Sequence, residues 1–289
     1  MELFEQPPSH FFDGLQGLNR MEILAYSFMQ RALLAGLLIS IACSVLGVFL
    51  ILRRDAMLGH GLAEVAFGGI AVGLFLNVLP LASAVVIAIL GALGMLKLKE
   101  KAGIHGDTAI GIMASCGMAL GILVVSLAGS FNVNLFGYVF GNVLAIRTSE
   151  VWLAALLAAV VVGVVLLFYQ EFFFMTFDEE AARVSGIRVD LLNAVLAVLS
   201  AVTVVLAMKV VGILLVAAMI IIPAAAGLQI ARSFRQAIWS SALISMFTVT
   251  AGLVTAALWD LPPAGTIVVL STLIFLVCLA LRRSTLLQR

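Results

Sequence analysis

The chain is short of charge. Asp, Glu, Lys and Arg make up 11% of its 289 residues, while hydrophobic residues make up 64%. Globular domains carry about 25% charged residues, so an ordinary water-soluble fold is excluded and a polytopic helical membrane protein is indicated. The net charge is +1, with no basic run and no basic patch interleaved with aromatics, which gives no basis for nucleic-acid binding. Cysteine is equally sparse. Cys43, Cys116 and Cys278 each stand alone in an apolar run, which argues against a disulfide framework or a thiolate metal site and leaves them as small packing residues. There is no Gly-x-x-x-x-Gly-Lys-Ser/Thr loop and no polar stretch long enough to form a nucleotide-binding domain, so the expectation is that the chain does not itself hydrolyse ATP. Residues 1–20, with Pro7, Pro8, Asp13 and Arg20, lack the charged-then-apolar-then-small pattern of a cleaved signal. The first span is therefore expected to be retained and to act as its own insertion signal.

What fills the chain instead is a series of apolar runs near 28–52, 57–79, 81–96, 108–129, 151–169, 190–208, 210–231, 237–258 and 264–281. A crossing of the hydrocarbon layer needs about 20 residues, and these runs predict an all-α transmembrane bundle of about nine spans. The short run 81–96 and a re-entrant half-helix in 131–146 keep eight and ten as alternatives. Lys and Arg divide unevenly between the two sides. With nine spans, Arg53, Arg54, Lys97, Lys99, Lys101, Arg183, Arg188, Arg232, Arg235, Arg282, Arg283 and Arg289 share one side, and Arg20, Arg31, Arg147 and Lys209 the other. The positive-inside rule makes the first side cytoplasmic. Residues 1–23 become an extracytoplasmic tail, 24–283 the membrane region with a cytoplasmic loop at 170–190, and 284–289 a cytoplasmic tail.

Two ionisable side chains interrupt the apolar sequence that follows Leu52-Arg53-Arg54. They are His60 and Glu64, and a spacing of four puts them on one helix face, where one cation could lie between them. Counted from Arg54, Glu64 is expected roughly 15 Å along the helix, near the middle of the hydrocarbon layer. An ionisable group at that depth costs several kcal/mol unless a partner, an ion or water faces it, so the pair is the candidate metal site. The bland alternative is an interfacial His60 and a neutral, hydrogen-bonded Glu64. His105 beside the fourth span and His10 in the N-terminal tail are weaker candidates.

The loop 170–190 contains Phe177-Asp178-Glu179-Glu180-Ala181-Ala182-Arg183-Val184-Ser185-Gly186-Ile187. Asp178 can cap a short helix, Glu179 and Glu180 suit its positive end, and Gly186 can terminate it. Phe177, Ala181, Val184 and Ile187 recur at helical spacing, so the helix is read as a docking element rather than a solvated linker. Asp107 and Thr108 read as the opening of the fourth span. Pro223 stands inside the seventh span, where it deprives the Met219 carbonyl of a donor and predicts a kinked helix beside the pathway. Glycines such as Gly69 and Gly73 permit close helix contact.

These blocks, together with Phe136-Gly137-Tyr138-Val139-Phe140-Gly141-Asn142 and Leu261-Pro262-Pro263-Ala264-Gly265-Thr266, make the chain resemble the permease subunits of zinc and manganese ABC importers. The resemblance runs from about residue 24 to the end. It implies a homodimer in a prokaryotic cytoplasmic (inner) membrane, one cytoplasmic ABC ATPase subunit per protomer, and an extracytoplasmic metal-binding protein that delivers Zn(II) or Mn(II) as cargo, with no permanently bound cofactor. It also implies that Phe177 to Ile187 is the helix coupled to the ATPase. One departure falls on the metal pair: the family pattern has Asp where this chain has His60 and His where it has Glu64. Either order offers one imidazole and one carboxylate, and two copies across a two-fold axis would supply two of each. Imidazole must be neutral to bind metal, so transport is expected to weaken as His60 protonates. The alternatives are an ABC permease for a siderophore or cobalamin-type complex, and a proton-coupled secondary transporter with Glu64 as proton carrier. A large complex calls for aromatic and polar walls, and a secondary transporter for inverted repeats that this sequence does not show.

Overall fold

The computed structural model describes residues 26–103, 106–127, 141 and 146–287, and among them the regular structure is helical. The helices are α1 (Ser27–Leu52), α2 (Leu58–Phe75), α3 (Pro80–Ala102), α4 (Gly106–Leu127), α5 (Thr148–Leu167), α6 (Tyr169–Phe177), α7 (Glu179–Val184), α8 (Val189–Val211), α9 (Ile213–Ile230), α10 (Phe234–Trp259) and α11 (Pro263–Leu287). Eight of them, all but α6, α7 and α9, are long and apolar enough to cross a membrane. In α9 the apolar helix Leu215–Ile230 is shorter. The long helices are apolar on every face. That is the pattern expected where one side meets protein and the other lipid, both equally apolar.

Side-chain contacts fix the two ends of the bundle. At one end Arg53, after α1, pairs with Glu179 on α7, and Lys99 near the end of α3 pairs with Asp55 before α2. At the same end Phe234 at the start of α10 packs on Phe49 and Phe177, with ring centroids 5.4 and 5.9 Å apart, and Arg282 on α11 donates to Gln229 on α9 at 2.6 Å. Arg53, Lys99 and Arg282, three of the cations assigned to one side, are thus gathered there. At the opposite end Lys209, in the last turn of α8, pairs with Glu150 in the first turn of α5. The seventh apolar run therefore starts at the Lys209 end and returns at Gln229 to the Arg53 end, so α9 makes a ninth traverse of the bundle among the described residues.

The core lies around α1, whose Ile39, Leu46, Phe49 and Leu50 are buried together with Met208, Met219 and Ile220 of α8 and α9. Small residues allow the closest approaches. A Cβ on Gly68 of α2 would stand 2.6 Å from the carbonyl oxygen of Gly117 on α4, and one on Gly69 would stand 2.6 Å from Cα of Ala84 on α3. At Gly47 of α1 a Cβ would come within 2.0 Å of the carbonyl oxygen of Ile220 on α9. Backbone meets backbone there, and neither side can yield by turning a rotamer. Gly47→Ala should therefore destabilise the protein by about 1–3 kcal/mol, the usual cost of overpacking, seen as a lower apparent Tm in detergent. An unchanged Tm would mean that α1 and α9 are not in contact.

The structure places the other residues singled out in the sequence. Asp107 lies inside the first turn of α4, which starts at Gly106, rather than capping it. Pro223 lies inside α9, which runs from Ile213 to Ile230. The helix α11 runs to Leu287, with its candidate span ending at Arg282. Cys43 and Cys278 are buried, as packing residues should be, but Cys116 is exposed. The tail 1–23, His105, and the segment 131–146 with its Phe136 to Asn142 block lie outside the described residues, apart from Gly141 and Ile146.

Candidate functional site

Residues 53–57 form a turn between α1 and α2. The Asp55 amide donates back to the Leu50 carbonyl at 2.8 Å, the Leu58 amide donates to the Asp55 carbonyl at 3.0 Å, and Arg54 takes φ 61. The depth expected for Glu64 needs correcting for this. Helix α2 starts at Leu58 rather than at Arg54, so Glu64 is about 9 Å along its axis and His60 about 3 Å, nearer the Arg53 end.

His60 and Glu64 share one face of α2, with Nε2 of His60 3.3 Å from Oε1 of Glu64. Their side chains are 47% and 22% exposed, although the helix around them is largely buried. The residues beside His60 explain where it points. Gly59 abuts Ile220 of α9 and Gly61 abuts Ile110 of α4, so His60 leaves the helix between those two neighbours and opens to the outside of the protomer. Among the described residues, no group of three or more His, Cys, Asp and Glu side chains gathers closely enough to hold a metal ion. One chain therefore presents one imidazole and one carboxylate, half of what a four-coordinate transition metal takes up.

The second candidate region is the docking segment. Asp178 caps α7 as its sequence suggested, Oδ1 accepting the Ala181 amide at 2.9 Å, and Gly186, at φ 85, follows the end of the helix. The expected common face of Phe177, Ala181, Val184 and Ile187 is not formed by one helix. Asp178 is extended, so Phe177 ends α6, and Ile187 lies beyond the glycine. Helix α6 itself was not anticipated. Its aromatic run Phe172-Phe173-Phe174 is the signal that could have shown it, since Phe172 is buried against Phe49 and Phe173 packs on Phe234. Phe177 touches Phe173 and Phe234 at centroid distances of 4.9 and 5.9 Å yet stays 60% exposed, and Val184 is 90% exposed. Around α7, Arg183 bonds Asp190 at 2.6 Å and Glu179 at 3.3 Å, and Glu179 also receives Arg53 at 3.2 Å. The Asp190 carboxylate, then that of Glu179, hold the Arg183 guanidinium above its usual pKa. It is a permanent cation in this network.

A multi-spanning helical bundle with most of its described cationic residues at one end, a capped helix there and a His-carboxylate pair on an apolar helix is the architecture of a polytopic membrane protein. The profile of the ABC 3 transport family matches residues 25–282, and the chain belongs to that family. It is 32% identical over 254 residues to the high-affinity zinc uptake system membrane protein ZnuB of Haemophilus influenzae, covering 88% of this chain and 97% of that one. It is 33% identical over 255 residues to the manganese transport system membrane protein MntC of Listeria monocytogenes, covering 88% and 91%. Among solved structures it is similar to PsaBC of Streptococcus pneumoniae in complex with Fab, with a TM-score of 0.79, 29% identity and coverage of 93% and 94%.

Proposed function

We propose that the chain is the membrane permease subunit of an ATP-driven importer of divalent transition metal ions, zinc or manganese. The observation that carries this reading is the His60 and Glu64 pair: two metal-capable groups on an apolar helix, held together and turned out of the protomer with half of a coordination shell. A lipid-facing imidazole and carboxylate would be expensive. A second copy of the chain, related by a two-fold axis, would cover them and complete the ligand set, which supports a homodimer with two histidines and two carboxylates around one ion. Family membership and relatives named for zinc and manganese systems support the cargo.

The same reading gives α7, with Phe177, Asp178, Glu179, Glu180, Ala181, Val184 and Gly186 in and around it, to a separate cytoplasmic ATPase subunit, and the opposite end of the bundle to an extracytoplasmic metal-binding protein. The exposed Phe177 and Val184 on an otherwise charged end support the ATPase contact. The test is uptake of radiolabelled zinc and manganese into proteoliposomes holding the permease, the ATPase and the binding protein. Uptake should require ATP and all three components. Uptake driven by a proton gradient without the ATPase would instead identify a secondary transporter. Orientation is checked by Glu180→Cys, which should react with an impermeant thiol reagent only from the side on which ATP is hydrolysed.

A further inference from the structure

We propose that Arg53 is the positioning residue that carries movement of α7 to the metal-bearing helix α2. The inference rests on the reading of α7 as the ATPase contact. Helix α7 packs against α6 and α8, and its tie to the α1–α2 turn is the ion pair from Glu179 to Arg53. The Arg53 side chain is only 9% exposed, and its second guanidinium nitrogen donates to the Met175 carbonyl of α6 at 3.5 Å. Two residues on, Asp55 is tied in another direction, receiving Lys99 of α3 at 2.9 and 3.2 Å. Between them Arg54 adopts the left-handed backbone that a non-glycine residue accepts only when its surroundings impose it. The turn is thus held from both sides by ion pairs. Because the Asp55 carbonyl accepts the amide of Leu58, the first residue of α2, a shift of the turn is a shift of the helix that bears His60 and Glu64.

The surroundings leave room for such a shift. A cavity of about 100 Å³ lies among Arg53, Asp55, Lys99, Glu179, Arg183 and Asn193. Asn193 Oδ1 is buried in that wall without a hydrogen-bond partner among the described residues, so an acceptor is at hand for a cation that leaves its carboxylate. Glu179 is 43% exposed, and a pair of that kind contributes little to stability. Its loss should leave the fold standing and break the transmission.

The experiment is a double-mutant cycle in the complete transporter: Arg53→Gln, Glu179→Gln and both together, reading metal uptake, ATP hydrolysed per ion and retention of the ATPase subunit. Each single change should lower uptake by about tenfold while the ATPase stays bound and hydrolyses ATP without productive transport, and the double variant should lose no more than the worse single one. Losses that multiply in the double variant, or uptake like the parent in the single ones, would overturn the proposal. Phe177→Asp separates the two levels. If it leaves the ATPase attached, the docking reading fails; if it detaches the ATPase while both glutamine variants transport normally, only the role of Arg53 fails.

Discussion

Glu64→Gln and His60→Ala should each reduce zinc and manganese uptake by about tenfold or more at matched membrane levels, because each removes one of the two proposed metal ligands. Glutamine keeps the shape of Glu64 and can still hydrogen-bond to His60 across the 3.3 Å that now separates the pair, so folding should be preserved. Insertion should be slightly easier, since a neutral side chain replaces an ionisable one in an apolar helix. Replacing both, His60→Asp with Glu64→His, restores one imidazole and one carboxylate on the same face and should recover part of the lost transport, with a changed ratio of zinc to manganese uptake. If both single variants transport like the parent, the pair is structural. If the singles fail and the double exchange fails with them, the ligands are real but the surrounding geometry is built around this particular order.

Much of the fold and part of the candidate site are legible in the sequence. Hydropathy marks the spanning helices because each of them is apolar all round, and the traverse of α9 follows from placing Lys209 and Gln229 at opposite ends. Local signals were equally readable. The i, i+4 spacing of His60 and Glu64, the cap at Asp178 and the glycine at Gly186 each involve a few neighbouring residues, and the backbone obeys them. The turn that brings Glu64 nearer the Arg53 end is not legible, because Arg53 to Met57 contain neither proline nor glycine to announce a reversal; it is held by Asp55 and Arg53 reaching to α3 and α7. Such pairs are invisible in a linear reading. Arg53 meets Glu179 across 126 positions, and Lys209 meets Glu150 across 59, so charges that look like topology signals in the sequence turn out to be structural ties as well. The completing ligands of the metal pair are not legible at all if, as proposed, they belong to a second copy.

Val184→Asp should abolish stable association with the ATPase subunit while the permease inserts and folds normally. Val184 is 90% exposed and its neighbours Arg183 and Ser185 satisfy themselves through Asp190, Glu179 and the Ala181 carbonyl, so a new carboxylate there disturbs nothing within the chain. Its effect can only be on what covers it. An apolar side chain at the centre of a protein contact is worth about 2 kcal/mol or more, and a desolvated, unpaired carboxylate in its place costs several more; a loss of about 3–4 kcal/mol is a hundredfold or greater weakening of binding. Phe177→Asp should act the same way with an added cost inside the permease, because Phe177 also packs on Phe173 and Phe234. The comparison of the two variants therefore isolates the interface. Co-purification of the ATPase with the permease in detergent, followed by ATP-dependent uptake after reconstitution, gives the measurement. Parent-like association and uptake for Val184→Asp would mean that nothing docks on α7 and that the exposed valine is only the end of a connector between α6 and α8.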